Sequence, residues 1–300
     1  MWEKRFGLHR RPFPAVPDVS LYYPASPHEQ ALAPLIRAVH EDEGLVLLTA
    51  EPGLGKTLLG QVLLERLGEE VVSAFIPNTH FANRTALLQA MLYDFGQPYD
   101  DDREQILRLR LTDFALKKCS EGKRTVVVFD EAHHLSADLL EELRLLGNLE
   151  GGRKAFQAVC LALPSIHETL RRPDMAAWSQ RVVVRASLAP LSVEESLDYL
   201  LHHLRVSGGR PEKIIDESGL KMLAQGALGI PRLLNQAAHQ SLTMADAVET
   251  AVDAEVAMEA LAAIGLEVPD CDEDELESLG NDLGEEAASF EVGGSAARAA

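Results

Sequence analysis

Between Leu45 and Ser187, five apolar runs of strand length alternate with helical patterns. The runs are Leu45–Thr49, Val71–Ile76, Thr125–Asp130, Gln157–Leu163 and Arg181–Ser187; the helical patterns between them include Thr57–Leu67, Thr85–Phe95, Glu104–Cys119 and Ala137–Leu149. Runs that stay apolar on successive residues suit strands covered on both faces, and strands separated by helices pair in parallel. The pattern predicts an α/β fold, a three-layer αβα core around a five-stranded parallel sheet. After Ser187 the alternation stops. Ser192-Val193-Glu194-Glu195 spells a capping box, and every periodic segment from there to about Gly265 is helical, so a small all-helical domain should follow. Ser26-Pro27-His28-Glu29 spells another box, with proline in the first turn, and should open a helix running to about His40. Residues 1–25, rich in proline and aromatics, read as an irregular leader.

The first apolar run feeds directly into TAEPGLGKTLLG, residues 49–60. A strand, a glycine-bearing turn and Lys-Thr opening a helix match the phosphate-binding loop Gly-x-x-x-x-Gly-Lys-Ser/Thr, with Ala50 in place of the first glycine. The candidate nucleotide-binding residues are Glu51, Pro52, Gly53, Leu54, Gly55, Lys56, Thr57 and Leu58. In such a loop backbone N–H groups converge on a phosphate, and the following helix adds the positive end of its dipole. Lys56 would reach the β- and γ-phosphates and the Thr57 hydroxyl would hold Mg²⁺. Ala50 costs little there provided its φ is negative, since it stands at the strand exit.

TVVVFDE, residues 125–131, offers the second half of a site. An apolar strand ending in two carboxylates suits Mg²⁺-dependent hydrolysis of ATP. Asp130 can hold the metal, and Glu131 can orient and deprotonate a water. Asp130 to His133 also spells the box of DEAH helicases, but nothing else in the chain supports a helicase, and His133 is read as non-catalytic. His202 and His203 are adjacent on a helix, face different directions and are not expected to chelate together.

Charge would normally argue against nucleic acid, because the formal net charge is −19. Its distribution matters more. Sixteen of the 47 acidic residues and one of the 28 basic ones lie after Arg232, which leaves the body nearly neutral. From Leu266 onward the acidic, Gly-containing chain favours a disordered tail. The composition, 46% apolar and 25% charged, is that of a globular protein. No run is long enough for a membrane span, and the N-terminus lacks the apolar stretch of a signal peptide, so a cytosolic location is expected. Cys119, Cys160 and Cys271 are far apart, with no C-x-x-C pair, so neither a disulfide framework nor a zinc site is expected.

Taken together, these residues resemble the AAA+ ATPases related to general secretion pathway protein A (ExeA/GspA). The likeness covers about residues 5–240. It begins with Phe6-Gly7-Leu8, Pro12-Phe13, Pro17-Asp18, Leu21-Tyr22 and His28-Glu29-Gln30-Ala31-Leu32, and continues through Asp130–Glu150. Gln157–Pro164, Gln180-Arg181, Leu188–Ser192 and Gly229-Ile230-Pro231-Arg232-Leu233-Leu234-Asn235 complete it. The resemblance implies a strand inserted between the phosphate-loop strand and the Asp130 strand, and a helical lid over the nucleotide. It makes Arg232 the lid's sensor arginine and Arg181 an arginine finger acting on a neighbour's ATP, jobs suited to a fixed, forked charge. The implied division is 1–35 leader and nucleotide-flanking segment, 36–190 ATPase core, 191–265 helical lid and 266–300 acidic tail.

Two departures stand out. Leu161-Ala162-Leu163-Pro164 replaces a segment resembling V-G-Q-P in relatives, so Leu163 cannot offer a polar side chain to the γ-phosphate and turnover should be slow. Secretion members continue into a membrane span and a peptidoglycan-binding domain, where this chain has its acidic stretch; an envelope role is not expected. The leading expectation is an ATPase, with ATP and Mg²⁺ as cofactors, that forms a ring or filament of like subunits through Arg181 and remodels a protein partner. A DNA-binding helper ATPase of the transposition type and an ATP-gated switch with slow hydrolysis are the alternatives. For double-stranded DNA the candidate contacts are Arg103, Arg108, Arg110, Lys117, Lys118, Lys123 and Arg124.

Overall fold

The computed structural model describes residues 2–150 and 152–267. Five parallel strands, β1 (Leu45–Thr49), β2 (Val71–Ile76), β3 (Arg124–Phe129), β4 (Gln157–Ala162) and β5 (Val182–Ser187), form one sheet in the order β2-β3-β4-β1-β5. β4 therefore lies between β3 and the phosphate-loop strand β1, as the resemblance implies. The long helices are α1 (Ser26–His40), α2 (Lys56–Leu67), α3 (Arg84–Asp94), α4 (Glu104–Ser120) and α5 (Ala137–Leu146). After β5 come α6 (Val193–Val206), α7 (Glu217–Gly226), α8 (Pro231–Ala247) and α9 (Ala254–Ala263).

Burial explains the strand sequences. β1 and β4 are buried along their whole length, whereas the edge strands β2 and β5 are only partly so, and their sequences admit polar residues. Within β1, Leu45 and Leu47 join one core with Phe129, Cys160 and apolar residues of α3, α4 and α5. Val46 and Leu48 join the other, with Leu32 and Leu35 of α1 and Leu59 and Leu63 of α2. The period of two sorts a continuous apolar run into two cores. Complete burial of Cys160 pushes its thiol up to about 12. α2 seats so closely on the sheet that a Cβ at Gly60 would lie 2.6 Å from Leu161 Cδ1 and 3.1 Å from Phe75 Cε2.

Helices α6 to α9 pack into a separate core with Tyr199, Leu200, Leu223, Leu234 and Leu261 inside. Ser192 and Glu195 form the expected capping box at the start of α6. The first box does not form. Ala25 is the N-cap of α1, and the Ser26 amide donates to Glu195 Oε1 at 2.8 Å, while Glu29 accepts a two-pronged bond from Arg66. Glu195 thus caps its own helix and holds the first turn of α1 against the lid.

The leader is more ordered than its sequence implies. It contains a short helix, Trp2–Arg5, and a 3₁₀ turn, Val19–Leu21. Trp2, Leu8 and Phe13 are buried in the lid's core, while Val19 and Tyr22 pack on the core shared by α1 and α2. Arg5 closes the end of α8 by donating to the carbonyls of Ala245, Asp246 and Thr250, each at 3.0 Å. Two further helices, Ile166–Leu170 and Ala176–Arg181, precede β5, so Arg181 ends a helix instead of beginning a strand. α5 stops at Leu146, short of the expected Leu149. The acidic stretch after Glu267 lies outside the described residues.

Candidate nucleotide site

The loop leaves β1 through Ala50, whose amide donates to Ala162 O at 3.1 Å and so extends the ladder with β4. Ala50 is not among the residues with positive φ, so a side chain is tolerated at the first glycine position. Gly53 and Gly55 do need to be glycine, with φ of +87° and +97° in the left-handed region. Gly55 is the N-cap of α2, and the helix starts at Lys56. Leu54 is buried, Glu51 and Pro52 are exposed, and Thr57 and Leu58 are half-buried at the start of the helix.

Lys56 is buried and its ammonium donates to the carbonyls of Ala50 at 2.8 Å and Glu51 at 3.1 Å. Burial holds its pKa below the usual lysine range; Glu131 and Asp130 pull the other way. The Thr57 hydroxyl donates to Asp130 Oδ2 at 2.6 Å, across 73 residues of sequence. Asp130 Oδ1 accepts the Glu131 amide at 2.9 Å. Burial raises the Asp130 pKa, opposed by the Thr57 bond. A buried carboxylate beside a hydroxyl is a set of hard oxygen donors, the set Mg²⁺ takes in one or two carboxylates plus phosphate oxygens. These residues fit that ion.

Glu131 follows with φ of 53°, rare for a residue with a side chain, and Thr79 donates to its carbonyl. His133 Nε2 lies 3.4 Å from Glu131 Oε2, and His133 Nδ1 is 3.3 Å from the Leu163 amide. Burial, aided by neighbouring His134, lowers the His133 pKa. The His134 ring lies between those of His133 and His80, at centroid distances of 4.1 and 3.9 Å.

The lid reaches the same place from the other side. The amide of Arg232, in the first turn of α8, donates to Gly53 O at 3.2 Å, and the exposed Arg232 side chain is close enough to weigh on the Lys56 charge. The structure therefore brings together the loop, Asp130, Glu131 and Arg232. It leaves Arg181 apart, exposed at the end of the helix Ala176–Arg181 that leads into β5. Val182 pairs with Leu45, the first residue of β1, whereas the loop departs from the last, Thr49. Three nearby residues were not singled out in the sequence as site residues: His28, which donates through Nε2 to Leu54 O at 3.0 Å, Thr79, and His133 as a neighbour of Glu131.

The expected basic surface is not free. Arg103 and Arg110 pair with Asp101, Arg108 with Glu104 and Glu142, Lys118 with Glu121, and Arg124 with Asp42 and Glu70. His203 is buried and donates to Pro12 O, and its ring is 5.8 Å from that of His202 at 73°, which fits no joint ligation.

A five-stranded sheet with this order, a phosphate loop after its β1, paired carboxylates after β3 and a helical lid define a P-loop NTPase of the AAA+ type, and an AAA domain model matches residues 39–170. The chain belongs to the AAA+ ATPases that resemble general secretion pathway protein A. It is 36% identical over 247 residues to general secretion pathway protein A of Aeromonas hydrophila, covering 82% of this chain and 45% of that protein. It is 28% identical over 200 residues to ORC1-type DNA replication protein 9 of Halobacterium salinarum, 64% of this chain and 52% of that one. The chain thus spans about half the length of these curated relatives. Among solved structures, Aeropyrum pernix ORC1 in complex with DNA matches 85% of the chain and 69% of its own, with a TM-score of 0.65 at 18% identity. Cdc6p from Pyrobaculum aerophilum gives the same score and identity over 81% of the chain and 70% of its own. At such identity these two support the fold alone. No described helix is long and apolar enough to cross a membrane.

Proposed function

We propose that the chain binds ATP with Mg²⁺ and hydrolyses it, coupling turnover to assembly or remodelling of a protein partner in the cytosol. The observation that carries this reading is the 2.6 Å bond from the Thr57 hydroxyl to Asp130, which joins two distant motifs into one cation-ready pair. Residues Glu51–Leu58 would wrap the phosphates, Lys56 exchanging its carbonyl partners for β- and γ-phosphate oxygens. Thr57 and Asp130 would hold Mg²⁺, which supplies charge neutralisation of the phosphate oxygens. Glu131 would take the proton of the attacking water, and Arg232 would contact the γ-phosphate and carry its loss to the lid through α8.

Lys56→Ala should abolish ATP binding, because it removes the charge that offsets the β- and γ-phosphates, and among the described residues no other lysine is buried at the loop. Glu131→Gln should bind ATP at near wild-type affinity and lose turnover by about 10²-fold or more, the share a positioned base supplies. Nucleotide titration and phosphate release measure the two effects. Wild-type turnover by Glu131→Gln would remove Glu131 as the base. For DNA, a protein of similar fold, ORC1, was solved in complex with DNA, but five of the seven candidate cations here are ion-paired, and no observation favours that reading.

A further inference from the structure

We propose that His133 is a positioning residue for Glu131, and that it makes the polar connection to the end of β4 that the Leu163 side chain cannot make. The proposal rests on the reading of Glu131 as the base. Leu163 has no side-chain donor, yet its backbone N–H points at His133 Nδ1, 3.3 Å away. An amide N–H can only donate, so Nδ1 must accept, and the proton of the neutral ring then sits on Nε2. Nε2 is the atom facing the Glu131 carboxylate, at 3.4 Å from Oε2. The backbone of β4 thereby selects the tautomer that presents a donor to the base.

Two features make the ring a fixed support. His133 has a side-chain exposure of only 10%, and its ring packs at a tilt of 42° against His134, which is stacked in turn against His80. Glu131 also needs such support. Its φ of 53° places it in the left-handed region that a residue with a Cβ rarely adopts, so surrounding contacts must hold it there. Thr79 holds its carbonyl and His133 faces its side chain. The distance to Glu131 is at the long end for a hydrogen bond, and such contacts commonly tighten only when substrate is in place. In this arrangement the exit of β4 senses the γ-phosphate region through an imidazole carried on the neighbouring strand's loop.

Three substitutions separate this role from simple packing. The amide oxygen of asparagine falls near the place of Nδ1, and the amide nitrogen of glutamine near that of Nε2. His133→Asn keeps the contact to Leu163 and loses the donor to Glu131, and His133→Gln keeps the donor. His133→Ala loses both. We expect kcat to fall about 10-fold or more for His133→Ala and His133→Asn and to stay within about 3-fold for His133→Gln, a part of what a positioned base contributes. KM for ATP and melting temperature should be unchanged in all three. Equal rates for the glutamine and asparagine variants, a wild-type rate for the alanine variant, or a KM that changes with kcat would overturn the proposal. If the alanine variant is unstable, the comparison of glutamine with asparagine decides alone. Glu131→Gln is measured alongside: activity there removes the base itself, whereas an inactive Glu131→Gln beside a fully active His133→Ala removes only the role of His133.

Discussion

One methyl group tests how α2 is seated under the nucleotide loop. Alanine is the better helix former by about 0.5–1 kcal/mol in an exposed helix. At Gly60, though, the added carbon would meet Leu161 at 2.6 Å, Phe75 at 3.1 Å and Val128 at 3.3 Å, three buried or partly buried side chains of three strands. Overpacking of that kind costs about 1–3 kcal/mol and should outweigh the propensity gain. Gly60→Ala is therefore expected to lower stability by about 1–2 kcal/mol in urea unfolding; a more stable variant would show that the helix can lift off the sheet freely. The same scale shows what the sequence made legible. Lys56, Thr57, Asp130 and Glu131 were legible as candidates because local spacing at two strand exits fixes them, and the structure brings them together. His28 and Thr79 were missed because their contacts are with residues 26 and 52 positions away, and His133 because its contact with nearby Glu131 is joined by one to Leu163, 30 positions away; no local pattern encodes such meetings.

Elements show how one pattern yields two outcomes. Ser192 caps α6 through its own side chain, but the similar Ser26 segment is claimed by Glu195 and Arg66 from other elements. A local rule holds only until a tertiary partner competes for the same group. The lid's seam with the leader carries a pH dependence. His203 is buried between Phe13 and Tyr199 and donates to Pro12 O, and burial pushes its pKa down to about 4 from 6.5. In the unfolded chain it protonates near 6.5, so between that pH and 4 the unfolded state binds the extra proton. Stability is thus intact above about pH 6.5 and falls as the pH drops towards 4, by about 3 kcal/mol in all from this group. His203→Gln cannot take the proton. The stability gap between wild type and this variant should shift by that amount, in the variant's favour, from pH 7 to pH 4. Parallel denaturation curves at the two pH values measure it, and a constant gap would place the titration elsewhere.

At the scale of the molecule, Arg181 is the residue that the single chain does not explain. It ends the helix just before β5, and the phosphate loop departs from the far end of β1, roughly 15 Å away along paired strands. It cannot serve its own site, and an arginine finger in a ring or filament would serve the next subunit's, where such fingers contribute about 10³-fold or more. Arg181→Ala should lower turnover strongly while ATP still binds. Mixed with Glu131→Gln protein, it should regain activity that neither has alone, because some interfaces then pair a working site with a working finger. If co-assembled mixtures regain nothing, Arg181 does not act across an interface. The division of the molecule also differs from the order of its sequence. Trp2, Leu8 and Phe13 belong, with Ala25, to the lid's core, whose remaining buried members begin at Leu191. A ribosome adding about 5–20 residues per second makes these three first and their partners on the order of ten seconds or more later. During synthesis the finished sheet must therefore carry an unpartnered aromatic arm, and the lid closes only when the last helices arrive to receive it.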